Sequence, residues 1–180
     1  MQKENNSKFL KIMKVILIIS LIILICQIGM TIYLFSSHKM EYKSTPPSPI
    51  AYEYKQIKYT KEEVRSKVEK IAGWLPYFYS EKDLLSKQRY GETIFFLRLV
   101  IMHDNLDINN YIFAFTHEYM HLKYMTASER FVNFEAFKLL YESGDEYFKN
   151  VAIMYANQDM RGGIDKNYSC WYYIKEYLNK

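Results

Sequence analysis

The sequence predicts a helix-rich α+β domain behind one N-terminal transmembrane helix. Three observations carry this. Val15 to Phe35 reads VILIISLIILICQIGMTIYLF, an uncharged apolar run. Gly91 to Met102, GETIFFLRLVIM, is dense in strand formers and suits one strand or a bent pair. Most of the remainder, from Thr60 onward, repeats its apolar residues at helical spacing. A chain of 180 residues suits one modest domain plus an appendage.

In chain order, residues 1–14 are expected to be a cytoplasmic N-terminus and 15–35 a signal anchor. About 20 residues at 1.5 Å rise span a hydrocarbon core of ~30 Å. The run is longer than a cleavable signal core, and no Ala-x-Ala site follows it. Lys3, Lys8, Lys11 and Lys14 precede it, against Lys39 and Lys43 after it. The positive-inside rule therefore places the main domain on the extracytoplasmic side of the cell membrane, in a single-pass arrangement. The first expected partner is thus the lipid bilayer, through residues 15–35.

Residues 36–59 read as a linker. Pro46, Pro47 and Pro49 make it an extended, semi-rigid spacer. Residues 60–180 form the domain. Thr60-Lys-Glu-Glu63 is a capping box, after which Val64, Val68 and Ile71 recur at helical spacing until Gly73 and Pro76. Trp74 to Tyr79 is an aromatic loop or short strand. Arg98 in the middle of the Gly91–Met102 run, and the run's short length, argue against a second span. A turn-rich loop begins at His103, and helices then dominate, punctuated by Gly144 and Gly162-Gly163. Trp171 to Leu178 is a C-terminal helix.

Composition narrows the function. A net charge of +4 with scattered lysines and no dense basic run argues for no nucleic-acid partner. Cys26 and Cys170 make no disulfide framework and no cysteine-based zinc site.

The chemistry concentrates in Phe115-Thr-His-Glu-Tyr-Met-His-Leu-Lys123, which holds two of the four histidines. Asn109 or Asn110 is placed to cap its helix. His117 and His121, at i and i+4, share one helical face, so both imidazoles can reach one Zn²⁺ at about 2.0–2.1 Å. Glu118 lies about 100° around the helix. From there it can miss the metal yet reach a metal-bound water as general base. This is the HExxH arrangement of zinc peptidases. The bland alternative is a core helix with two hydrogen-bonded histidines, and three polar groups on so apolar a helix would cost several kcal/mol without partners.

A third ligand is sought among downstream acids. Thr126-Ala-Ser-Glu129 is a second capping box, so a second helix is expected from Ala127, in a hairpin centred near Met125. His121 and Glu129 then lie at similar depth. With about 100° per residue, Lys138, Glu142 and Glu135 form a charged stripe opposite Glu129. Glu129 shares its side with Val132, Asn133, Ala136 and Leu140. Glu129 is thus the expected ligand and Glu135 the alternative, reached if the second helix starts later. The competing role for Glu129 is the cap itself. Asn133, one turn on, is placed to orient a ligand or to bind substrate backbone. Tyr147, Arg161 and Tyr168 are weaker candidates for oxyanion stabilisation.

HEYMH, then Glu129-Arg-Phe-Val-Asn-Phe134, Ala136, Ser143, Asp145, Tyr147 and Phe148, resembles a family of uncharacterised, membrane-anchored bacterial proteins. Its pattern is HExxH, then E-x-E-A-N-F, then a serine, an aspartate and an aromatic pair. The likeness covers roughly Thr116 to Asn150 and implies a zincin-like domain with peptidase activity. Glu129 matches the first glutamate of the pattern; Phe131 stands where the family has the second, so a family ligand at that position is absent here. The glycine that often follows HExxH in that family is missing as well, and the loop between the two motifs is slightly longer.

The expected whole is a zincin-like domain with an HExxH helix and following helical hairpin. Its expected activity is zinc-dependent hydrolysis of peptide or protein substrates, with Zn²⁺ as cofactor. The alternative is a non-catalytic, membrane-tethered zinc-binding or protein-interaction domain.

Overall fold

The computed structural model describes residues 2–36, 40, 50, 59–84, 90–161 and 163–180. The chain forms two compact units, Met1–Ser37 and His38–Lys180. The first is a helix, α1, Gln2–Ser36. Within it Ile16–Leu34, with mean hydropathy 2.5, is long and apolar enough to cross a membrane by length and composition. The helix continues back through the lysine-bearing residues before Val15, so the expected boundary at residue 15 is one of composition and not of secondary structure.

The second unit is helix-rich with one small sheet, an α+β arrangement. Its first helix, α2, spans Lys61–Ala72 behind the expected capping box: Thr60 accepts from the Glu63 amide, and the Glu63 carboxylate accepts from the Thr60 amide. Val64, Val68 and Ala72 are buried. Gly73, at φ +86°, ends the helix in a conformation that L side chains rarely adopt.

The strands are β1 Phe78–Lys82, β2 Gly91–Ile94 and β3 Leu99–His103, in the order β1-β3-β2. β1 runs parallel to β3, and β2 antiparallel to it. The strand-rich run is therefore a bent pair. A 3₁₀ turn, Phe95–Leu97, and Arg98 in the left-handed region at φ +48° reverse the chain.

Four helices follow: α3 Ile108–Tyr124, α4 Glu129–Tyr141, α5 Glu146–Met160 and α6 Trp171–Leu178. α3 is central, packing against β2, β3, α2, α4 and α5. That explains why it is apolar almost all round. Tyr111, Phe115 and Tyr119 fill the core, with the Tyr111 and Phe115 rings stacked at 5.9 Å.

Two expected helix starts are corrected. Asp107 caps α3, not Asn109 or Asn110: its carboxylate accepts from both of those amides, at 3.0 and 3.1 Å. The two asparagines lie in the first turn, where their amides are donors without intrahelical partners. α4 starts at Glu129 instead of Ala127. Ser128 is its N-cap and makes no side-chain capping bond, and the Thr126 hydroxyl accepts from the Ser128 amide at 3.1 Å. The second capping box therefore does not form.

Most of the 36–59 linker, including its three prolines, lies outside the described residues. Between its end residues Ser36 and Tyr59, the described positions Met40 and Ile50 are bonded to the second unit's helices. The Met40 carbonyl accepts from the Arg130 guanidinium. Ile50 donates to and accepts from the Asn157 amide, each bond 2.6 Å.

Candidate metal centre

One face of α3 carries Asn110, Phe113, Ala114, His117, Glu118 and His121, which floor a groove of about 570 Å³. β2 forms one wall. Residues of α5 and of the 163–168 loop form the other. The volume is in the range of small-molecule and peptide side-chain sites.

At the groove's centre three donor atoms converge. His117 Nε2 lies 3.0 Å from Glu129 Oε2, His121 Nε2 lies 3.3 Å from the same oxygen, and the two Nε2 atoms are 3.0 Å apart. The αL residue Met125, at φ +47°, turns the chain so that the first residue of α4 meets the last turn of α3. The tautomers follow from the outer partners. His117 Nδ1 faces Asn133 Oδ1 at 2.6 Å, and the Asn133 Nδ2 donates to the Tyr168 carbonyl at 2.8 Å, which fixes the amide's orientation. His121 Nδ1 faces the Thr126 carbonyl at 2.6 Å. Both outer partners are acceptors only, so each Nδ1 carries the proton. Each neutral ring then turns an Nε2 lone pair toward the other and toward a carboxylate. Three acceptor atoms this close call for a proton on one ring or a metal ion between them.

Without an ion, the electrostatics favour a charged His121 beside an ionised Glu129. Burial alone would raise the Glu129 pKa, but the bonds and charges of His117 and His121 outweigh it and hold the carboxyl well below its ordinary range. Burial opposes protonation of His121, yet Glu129 and the Glu118 charge more than offset it and raise its pKa. The group could hold a metal. Its chemistry, two imidazole nitrogens and one carboxylate oxygen with the outer ring nitrogens fixed on carbonyl oxygens, fits the donor set of a three-ligand zinc site.

Glu118 is buried in the same groove. Its Oε2 accepts from the Thr93 hydroxyl at 2.6 Å, while the Glu118 main-chain carbonyl lies 3.1 Å from that hydroxyl. A Cβ on Gly91 would stand 2.7 Å from Glu118 Cγ and 2.9 Å from its Oε1. Glycine there is what lets β2 approach the carboxylate.

No family model, curated protein or solved structure matches the chain.

The remaining expected site residues separate clearly. Glu135 is turned away from the histidines: its carboxylate accepts from the Tyr124 hydroxyl at 2.8 Å and lies 3.8 Å from Lys138. Asn133 is 2% exposed with both ends of its amide committed, so its bonds describe orientation of His117 and not contact with a substrate. Tyr147 is buried and donates to Asn109, and Arg161 caps α5 outside the groove's lining; Tyr168 does line it. Sequence reading missed Thr93, Gly91 and Tyr155. The Tyr155 ring stacks on Phe113 at 3.5 Å, and burial together with nearby acids pushes its hydroxyl pKa well above the ordinary value. It is therefore a standing O–H donor in the groove, and it bonds to none of the described residues. A glycine inside a strand-forming run was the one available signal, for Gly91.

Proposed function

We propose that this chain is a membrane-anchored, zinc-dependent metallopeptidase with a zincin-like domain. The observation that carries the reading is the tautomer-fixed meeting of His117, His121 and Glu129, with Glu118 in the same groove. His117, His121 and Glu129 would hold Zn²⁺. Bound there, the ion supplies a Lewis acid that polarises a carbonyl and acidifies a water.

The chain's own residues supply the rest. β2 is an edge strand. Its register with β3, and the bond from the His103 amide to the Tyr90 carbonyl, leave the backbone groups of Gly91 and Thr93 on its free edge. An extended substrate pairs there as an added strand, which sets a scissile carbonyl over the floor of α3. Thr93 occupies Glu118 Oε2, so Oε1 is the oxygen free to take the proton of the attacking water. The same carboxyl then delivers that proton to the leaving amine nitrogen. The Tyr155 hydroxyl donates to the oxygen that becomes negative as the carbonyl is attacked. Through α1 the domain works at a membrane, and the lysine asymmetry puts it on the extracytoplasmic side.

The test is metal analysis and peptide hydrolysis on the purified full chain. Wild type is expected to hold about one zinc and to cleave an unstructured protein such as casein. Glu118→Gln keeps the zinc and loses at least about 100-fold in kcat. Glu129→Gln loses the zinc, whereas Glu135→Gln behaves as wild type. Zinc far below one per chain in the wild type, or Glu118→Gln as active as wild type, overturns the reading. Zinc at one per chain without hydrolysis leaves a tethered metal-binding domain.

A further inference from the structure

The groove's far wall is fastened to the helix that supplies Glu129. The loop that forms this wall is bonded within itself. The Asp165 carbonyl accepts from the Tyr168 and Ser169 amides at 2.9 and 3.0 Å, and Asp165 Oδ1 accepts from the Asn167 amide at 2.8 Å. Side chains from two helices hold the turn in place. Arg130 Nη2 donates to the Lys166 carbonyl at 2.7 Å, and its Nε donates to the Ser169 carbonyl at 2.8 Å. Arg130 Nη1 donates to the Met40 carbonyl. Asn133 Nδ2 donates to the Tyr168 carbonyl at 2.8 Å. From α5, the Asp159 carboxylate accepts from the Cys170 amide at 2.7 Å. The carbonyls of residues 166, 168 and 169 are thus all held from the first turns of α4, the helix that begins at Glu129.

Asn133 belongs to both the wall and the metal centre. It is buried, and its Oδ1 faces His117 Nδ1 at 2.6 Å. An amide side chain has one donor end and one acceptor end. With Nδ2 committed to the Tyr168 carbonyl, only Oδ1 is left for His117. The ring must then keep its proton on Nδ1 and turn the Nε2 lone pair toward His121 and Glu129. Without the Tyr168 carbonyl, the amide can turn either end to the ring. Reversed, Nδ2 would donate to Nδ1 and the ring proton would sit on Nε2. There it meets Glu129, an arrangement that needs no ion and that cannot bind one through Nε2.

We infer that Asn133 couples the metal centre to the far wall of the groove. A bound ion holds the amide in the orientation that also fastens Tyr168, and the fastened loop holds His117 in the tautomer that binds the ion. Linkage makes the effect reciprocal, so metal affinity and loop closure change by the same factor. Asn133 is a positioning residue, acting on the metal through His117 and on the substrate-facing wall through Tyr168. The inference rests on His117, His121 and Glu129 holding a metal, and not on peptide hydrolysis.

Two measurements on the purified full chain in detergent test it. Hydrogen–deuterium exchange with and without Zn²⁺ reads the loop, and competition with a chelating dye reads zinc affinity. The Tyr168 and Ser169 amides are reporters, because both are bonded inside the loop. In the wild type, Zn²⁺ is expected to slow exchange across residues 163–169 about tenfold, the scale on which partners of a metal-bound imidazole act. Arg130→Gln leaves the partner of His117 in place but loosens the loop, and is expected to weaken zinc binding about tenfold. Asn133→Asp presents an acceptor to His117 by either oxygen and gives the Tyr168 carbonyl no donor. It is expected to keep its zinc while loop exchange no longer responds to the ion. In the Asn133→Asp background, Arg130→Gln should cost no further zinc affinity, an outcome that a purely structural role of Arg130 would not produce. Zinc bound by the wild type with loop exchange unchanged overturns the coupling alone. No zinc bound by the wild type overturns the metal reading and the coupling with it. An equal loss of affinity from Arg130→Gln in both backgrounds also overturns the coupling, because the loop would then act on the metal by another route.

Discussion

Glu118 shows how a residue's role is set by neighbours far away in sequence. The HExxH spacing states that Glu118 lies off the histidine face; it cannot state what holds the carboxylate. Thr93 does, from a strand 25 residues earlier, and Gly91 leaves the room. A base displaced by about 1 Å loses on the order of 100-fold in rate. Thr93→Val, which removes the hydroxyl and keeps the shape, is therefore expected to lower kcat about 10- to 100-fold with KM and zinc content unchanged. Thr93→Ser should restore most of the rate. Equal kcat for Thr93→Val and wild type would show that the bond seen here does not position the base. The motif was legible because a helix fixes i, i+4 geometry locally. Thr93 was not, and Gly91 showed only as a glycine inside a strand-forming run, because strand-to-helix packing has no sequence period.

At the scale of elements, the capping signals divide instructively. Thr60–Glu63 forms its box, whereas Thr126–Glu129 has the same pattern and does not. The difference lies in competition. The Thr126 carbonyl is taken by His121 and the Glu129 carboxylate by both histidines, so a local capping bond yields to a tertiary one. The hairpin argument still reached Glu129, because depth along paired helices does not depend on the exact first residue. Asp145 shows a cap strengthened by its tertiary partners. It caps α5 through the Tyr147 and Phe148 amides, and it ties α2, through Lys67, and the preceding Tyr59 to α5, each at 2.7 Å. Burial raises the Asp145 pKa, but the Lys67 and Tyr59 bonds outweigh it and leave it lowered. A depressed carboxyl contributes stability above its unfolded pKa of about 3.9 and loses it as pH falls through the folded value. Asp145→Asn is expected to cost about 1–2 kcal/mol at pH 7, read by urea denaturation, and proportionately less near pH 3. An equal loss at both pH values would assign the effect to packing instead of charge.

For the whole molecule, the sequence makes legible what is local or compositional: the apolar helix, the two-state mix of helix and strand, the metal-type donors. The strand order β1-β3-β2 and the bonds of Met40 to Arg130 and of Ile50 to Asn157 depend on long-range closure, and no spacing announces them. The donor cluster belongs to this scale too, because it joins α3 to α4 and, through Asn133 and Tyr168, to the loop that rims the groove. An ion that binds only the folded chain stabilises it by mass action, by about 2.7 kcal/mol at 100 times its dissociation constant. For a domain of this size that corresponds to roughly 10 °C in Tm. Chelation of the full chain in detergent is therefore expected to lower the Tm of the second unit by roughly that amount, and added Zn²⁺ to restore it. Glu129→Gln should melt at the lower temperature and respond to neither treatment. Glu118→Gln should respond as wild type, because its carboxylate sits on Thr93 and not among the three donors. If chelation moved Glu129→Gln and wild type equally, the metal would be bound elsewhere. The three acceptor atoms would then have to be reconciled by a proton shared between His117 or His121 and Glu129, and the groove would lose its claim to hydrolysis while keeping its fold.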